Sequence, residues 1–130
     1  SFYNLAYLNV NLGTATIPTA TVRIKIEKKT FEESATGDGP VDACFKAINR
    51  AIKFQKKIKL EHYQVRSITA GKAAQGEVSI RLKIDKKAFN GKGISTDTIK
   101  ASAQAYIQAL NHFSLNHSEQ KTFLENLVGV

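Results

Sequence analysis

Two stretches of the chain alternate apolar and polar residues in the same order. Val22, Ile24 and Ile26 interleave with Arg23, Lys25 and Glu27, and Ile80, Leu82 and Ile84 interleave with Arg81, Lys83 and Asp85. A period of two predicts a half-buried strand. Across Val22–Phe31 and Ile80–Phe89, six of ten positions are identical and three are conservative, at a constant offset of 58. Gly13 and Gly71 keep the same offset. The chain therefore carries one supersecondary unit twice.

Each unit reads as three strands and a helix. In the first, residues 3–12 form a strand with Tyr3, Leu5 and Tyr7 on one side and Leu8 and Val10 on the other. Gly13 to Pro18 is a loop, the alternating strand follows, Lys28-Lys29 turns the chain, and Phe31 to Ala35 returns. Gly37-Asp38-Gly39-Pro40 then opens a helix, since proline suits a first turn where its missing N–H has no partner. Val41, Phe45, Ile48 and Ile52 mark its apolar face, with Lys46, Asn49, Arg50 and Lys53 opposite. The second unit runs Leu60 to Thr69, a loop at Ala70-Gly71-Lys72, Val78 to Ile84, and a short strand at Ala88 to Asn90. Ser95 is the expected cap of a helix facing inward through Ile99, Ala103, Tyr106, Leu110 and Phe113.

The fold class expected is α+β: two pseudo-symmetric βββα units forming a six-stranded antiparallel sheet with two helices on one face. Its bare face is a surface for a second copy or another domain. Residues 1–130 make one domain, with 114–130 a tail whose Phe123, Leu124 and Leu127 would dock a last helical turn on the body or a partner.

Composition narrows the class. A hydrophobic content of 42% with 23% charged residues fits an ordinary soluble domain, and no apolar run approaches the ~20 residues of a membrane span. No signal peptide is visible, and the strand-like start is consistent with a piece of a longer protein. The single Cys44 excludes an internal disulfide and fits the cytoplasm; on an apolar helix face it is expected to be buried and inert. A net charge of +8 and a pI near 9.7 invite a nucleic-acid reading. The lysines come as pairs, Lys28-Lys29, Lys56-Lys57 and Lys86-Lys87, and two of these are the same turn in both units, so solvated turns are the simpler account.

No catalytic constellation is present. His62, His112 and His117 are scattered without metal-ligand spacing, and the chain has no P-loop, nucleophile elbow or HExxH. Gly37-Asp38-Gly39 and Gly91-Lys92-Gly93 lack the third glycine of a nucleotide motif. What remains is the two helix starts, Gly39-Pro40-Val41-Asp42 and Ser95-Thr96-Asp97-Thr98. Free backbone N–H groups there can cradle a carboxylate. Asp42 and Asp97 either complement the helix dipole alone or bind a ligand ammonium group.

Three ordered motifs at these places carry a resemblance. They are Gly37-Asp38-Gly39-Pro40-Val41-Asp42-Ala43; Tyr63-Gln64-Val65-Arg66-Ser67-Ile68-Thr69 followed by Gln75-Gly76-Glu77-Val78-Ser79-Ile80-Arg81-Leu82; and the segment from Gly91 through Ser95-Thr96-Asp97-Thr98 to Ala109-Leu110-Asn111. Over roughly residues 20–113 the chain resembles the C-terminal regulatory domain of the 2-isopropylmalate synthase family. The resemblance implies two βββα units, a homodimer, leucine as effector, and a TIM-barrel catalytic domain in the same protein. That barrel would hold the divalent metal and join acetyl-CoA to 2-oxoisovalerate, leaving this chain without catalytic residues or a cofactor. It also implies no nucleic-acid or membrane partner. The effector pocket implied is Val41 and Asp42 at the first helix start; Leu60, Tyr63, Val65 and Ser67 on the next strand; Ala74 and Val78 by the following loop; and Thr96 and Thr98 at the second helix start. Tyr63, Val65 and Ser67 do alternate onto one strand face, while Val65 and Val78 are equally readable as core. The isoleucine-sensing domain of citramalate synthase is the related alternative, and a βββα nucleic-acid module the distant one.

Overall fold

The computed structural model describes residues 2–13, 17–70 and 73–127. In chain order the elements are β1 (Tyr3–Asn11), β2 (Thr19–Ile26), β3 (Lys29–Thr36), α1 (Pro40–Ala51), β4 (Lys59–Ala70), β5 (Ala73–Ile84), β6 (Lys87–Ser95) and α2 (Thr98–Leu127). The two βββα units are as expected. Their strands do not join into one six-stranded sheet, however: β1-β2-β3 and β4-β5-β6 are separate three-stranded antiparallel sheets.

The duplication extends to register. Arg23 pairs with Glu32, and Arg81 with Asn90, 58 residues further on in both strands. Each first strand carries a bulge at the equivalent place, between Leu5 and Tyr7 in β1 and between Leu60 and His62 in β4. The extra residue moves every later side chain to the opposite face. Leu5, Leu8 and Val10 thereby share one face, as do Leu60, Tyr63 and Val65. The loops Gly13 to Pro18 and Ala70-Gly71-Lys72 fall partly on residues 14–16 and 71–72, outside the described residues.

The β2–β3 and β5–β6 hairpins each close in two residues, with Ile26 paired to Lys29 and Ile84 to Lys87. Asp85 and Lys86 both have positive φ, 52° and 67°, as the tight turn matching strand twist requires. The turns are thus Glu27-Lys28 and Asp85-Lys86, one residue earlier than the lysine pairs suggest.

α1 ends where the chain turns left-handed at Lys53, with φ 53°. Lys53 N–H donates to the Arg50 carbonyl at 3.2 Å and Phe54 N–H to the Asn49 carbonyl at 3.0 Å, the two bonds of a Schellman cap. α2 runs unbroken from Thr98 to Leu127, so the tail continues this helix instead of adding a separate turn. The side chains of Phe123, Leu124 and Leu127 on it are exposed.

The core is one cluster under both sheets: Val22 and Ile24 from β2, Val78, Ile80, Leu82 and Ile84 from β5, Cys44 and Ile48 from α1, Leu110 from α2. α1 packs on β2 and β3, and α2 on β5 and β6. Phe45 and Tyr106 stack between the helices with ring centroids 4.1 Å apart, and the Tyr106 hydroxyl donates to Asn49 Oδ1 at 2.7 Å. The second Gly-x-Gly has a packing role. Gly91 and Gly93 lie within β6, and a Cβ at either would stand 1.9 Å from the Ala105 carbonyl or 2.0 Å from that of Ala101. Only glycine lets α2 approach this closely. Among the described residues no helix is long and apolar enough to cross a membrane.

Candidate functional site

The residues singled out from sequence fall into one joined patch and one outlying group. Register places Leu60 opposite Leu82, Tyr63 opposite Ile80, Val65 opposite Val78 and Ser67 opposite Gly76, so all four lie on the face that meets the core. β4 is an edge strand, and its apolar side chains stay open: Leu60 is 46% exposed, Tyr63 36% and Val65 47%. Val78 is fully buried on the central strand, so it supports the patch as core.

α2 borders this patch at its start. The Tyr63 hydroxyl lies 2.6 Å from Ser102 Oγ, and Ser102 donates to the Thr98 carbonyl at 2.8 Å. Ser102 is fully buried, and these bonds satisfy it. The Thr98 hydroxyl lies over Gly76, 3.4 Å from where a Cβ would be. Tyr63, Val65, Ser67, Gly76 and Thr98 are therefore contiguous. Ser102 and Gly76 lie within the quoted motifs but are not among the pocket residues that the resemblance implies. A serine one turn after Thr98, on a helix face otherwise alanine-rich, was the available signal for Ser102.

The two helix starts differ. At α2 the cap is Asp97: its Oδ1 accepts from Ile99 N–H at 2.9 Å and Lys100 N–H at 3.4 Å. Ser95, the expected cap, instead accepts from Asp97 N–H at 3.1 Å and fixes the turn before it. Thr96 is exposed within that turn. At α1 the cap is Gly39, which has no side-chain cap bond, and Pro40 has no N–H. Val41 and Asp42 sit in this open first turn, both half-buried. The Asp42 carboxylate is engaged, accepting from Asp38 N–H at 3.0 Å and pairing with Lys46 at 2.9 Å. Those two bonds, the backbone one first, hold its carboxyl below the usual carboxylate range. Ala74 is exposed near the start of β5.

Cys44 lies buried near the start of α1, within the field of Asp97 at the start of α2. Burial pushes its thiol up to about 12, and the Asp97 charge adds to the shift. A thiol so held is not a nucleophile at neutral pH. Tyr106 is likewise pushed up to about 12 by burial, against the lowering effect of Asn49. Among the described residues no group of three or more His, Cys, Asp or Glu could hold a metal ion.

The arrangement thus offers an apolar shelf on β4, hydroxyls at its border and, at α1, a helix start without a side-chain cap.

Comparison with known proteins gives this geometry a context. The chain is 45% identical over 109 residues to the 2-isopropylmalate synthase of Heliobacterium modesticaldum, covering 84% of this chain and 21% of that protein. It is 41% identical over 121 residues to that of Halothermothrix orenii, covering 92% and 23%. With the Gloeobacter violaceus enzyme it shares 45% over 121 residues, covering 88% and 22%. The chain spans about a fifth of the length of these curated relatives, matching their C-terminal part. The family profile described as the LeuA allosteric (dimerisation) domain matches residues 1–114, and the chain belongs to that family.

Proposed function

We propose that this chain is the leucine-sensing regulatory domain of a 2-isopropylmalate synthase, giving feedback inhibition of the first committed step of leucine biosynthesis. The observation that carries the reading is the β4 shelf: three apolar side chains on the core-facing side of a strand, left open beside hydroxyl groups at the start of α2. The leucine isobutyl group would lie on Leu60, Tyr63 and Val65. Its carboxylate would meet the free N–H groups of Val41 and Asp42, and Ser67, Thr96 and Thr98 would orient its polar end. Ala74 would close one end, with Val78 beneath.

A shelf with half its apolar surface open binds a small ligand poorly by itself, because burial is what drives the association. A second copy over β4 would complete the enclosure, so dimerisation and sensing belong to one surface. Inhibition then requires leucine to bind the inhibited state of the whole enzyme more tightly than the active one. The catalytic barrel and its divalent metal would lie in the remainder of the protein, which is expected to be cytoplasmic.

Calorimetric titration with leucine, isoleucine and valine tests the reading. Saturable leucine binding that Ala74→Leu or Val65→Asp removes supports it. A tighter isoleucine response would move the chain to the citramalate branch. One methyl position is worth only about 1–3 kcal/mol in an apolar pocket, so weak cross-binding is expected. No heat with any of the three would leave a dimerisation module alone.

A further inference from the structure

A cleft that the regulatory reading does not use runs from the outer face of the second sheet round its β6 edge to α2. Its volume is about 560 Å³, and His62, Ser79, Arg81, Lys92, Gln108 and His112 line it. No carboxylate is among the described residues that line it. Two of its side chains are fixed so that hydrogen-bonding edges are left over. Lys92 N–H donates to Gln108 Oε1 at 2.7 Å, which leaves the Gln108 amide NH2 unused by that bond. The His112 ring lies 2.7 Å from the Asn90 carbonyl through Nδ1; a carbonyl only accepts, so Nδ1 carries the proton and Nε2 remains.

The duplication supplies an internal control. At the equivalent place in the first unit, Tyr7 pairs with Arg23, which pairs with Glu32. There the guanidinium is neutralised by Glu32 at 2.6 Å and lies over the Tyr7 ring, 4.6 Å from its centroid. In the second unit His62 replaces Tyr7, and Asn90 replaces Glu32. Among the described residues Arg81 is held by the neutral Asn90 Oδ1, at 3.2 Å. Ser34 is replaced by Lys92, whose ammonium lies 3.9 Å from a Glu77 that Arg66 holds more closely, at 3.0 Å. The same framework thus carries a closed ion pair in one unit and a largely uncompensated pair of cations over a cleft in the other. Solvated surface arginines need no cleft; here two cations and donors from two strands and a helix converge on one.

We propose that this cleft binds a multivalent oxyanion of the phosphate class, with Arg81 and Lys92 as charged contacts and Ser79 and Gln108 as neutral donors. The site shares no residue with the β4 shelf and does not depend on the leucine reading.

The test is titration of the chain with inorganic pyrophosphate, and separately with a phosphomonoester and with vesicles carrying phosphate headgroups, at fixed ionic strength. Calorimetry and the backbone amide shifts of Gly91 and Lys92 are the readouts. One saturable site per chain is expected, and the arm with the tightest binding identifies the source of the phosphate. Asn90→Glu copies the ion pair of the first unit and should weaken pyrophosphate by about ten-fold or more, as loss of a charge-assisted hydrogen bond does. Arg81→Gln should do the same, whereas Lys25→Gln on the first sheet should leave affinity within about two-fold, since distant exposed charges are screened. Equal weakening by Lys25→Gln and Arg81→Gln would overturn the site in favour of a diffuse field. So would wild-type affinity in Asn90→Glu, or salt-sensitive oligonucleotide binding that survives both cleft variants.

Discussion

β1 and β4 open the two units with the same design and have different fates. Each carries a bulge after its first leucine and then presents a run of apolar residues inward, Leu5, Leu8 and Val10 in one, Leu60, Tyr63 and Val65 in the other. β1 is covered. α2 packs against it, Asn111 Oδ1 accepts Tyr3 N–H at 2.7 Å, and Asn111 Nδ2 donates to the Tyr3 carbonyl at 3.0 Å. α1 makes no comparable contact with β4. The helices account for the difference. Beneath β1 lies the buried Ile107; its α1 equivalent, 58 residues earlier, is Asn49, whose side chain holds Tyr106. Lys46 and Lys53 stand where α2 has Gln104 and Asn111. Duplication copied the strand, and divergence of the helix face left one copy bare. A bare apolar face on an otherwise satisfied fold marks an interaction surface.

The largest effect should come from crowding the contact that holds α2 in place. Gly91→Ala puts a Cβ against the Ala105 carbonyl. Denaturant unfolding should show a loss of about 2–3 kcal/mol or an unfolded chain, as overpacking does. Tolerance of alanine there would mean that α2 sits further from β6, and the cover over β1 would be in question.

Next comes the direct comparison of strands. Leu8→Ala should cost about 2 kcal/mol, toward the low end for leucine truncation because Leu8 is only half-buried. Val65→Ala should stay within about 0.5 kcal/mol at concentrations too low for association, as open positions do. Equal costs would show that both strands are covered within one chain.

Alkali offers a third handle. Cys44 and Tyr106 have thiol and phenol groups raised to about 12 in the fold, against ordinary values of 9.0 and 10.0. A raised acid keeps its neutral form in the native state. Stability is therefore full below the ordinary values and is lost as pH rises from about 9 toward 12, where the unfolded chain ionises first. Melting temperature should fall across that window, and Cys44 should resist thiol reagents at pH 8. Ready labelling would show that the helix starts open.

The smallest effect is at Asp42. Its lowered carboxyl contributes stability above the ordinary value of 3.8 that is lost as pH falls through the folded value. The Lys46 partner is exposed, so Asp42→Asn should change stability by under about 1 kcal/mol, and only above that range.

The alternating strands β2 and β5 were legible because period-two patterning is a local signal, and the repeat fixed the βββα order. The sheet division was not, since strand pairing between units is set by tertiary packing that no local pattern records. A Gly-x-Gly reads as a turn and so ends the expected strand at Asn90; the role of Gly91 and Gly93 is visible only with the Ala101 and Ala105 carbonyls against them. Ser95 looked like a cap on residue type alone, yet Asp97 holds the place that backbone geometry makes the cap. For the candidate site, the strand-face residues Tyr63, Val65 and Ser67 followed from alternation, and the bulge that brings Leu60 to the same face did not. Ser102 escaped because its importance comes from a tyrosine 39 residues away.

The central claim is that the bare strand of the second unit is an effector shelf, and leucine-dependent thermal stability tests it most directly. At a hundred times its dissociation constant a ligand stabilises the native state by ~2.7 kcal/mol, which for a domain of this size is a rise in melting temperature of roughly 10 °C. That rise is expected in the wild-type chain, with its loss in Val65→Asp on β4 and its retention in Lys86→Ala at the β5–β6 hairpin turn. A wild-type melting curve that leucine leaves unmoved, or a full rise in Val65→Asp, would contradict it.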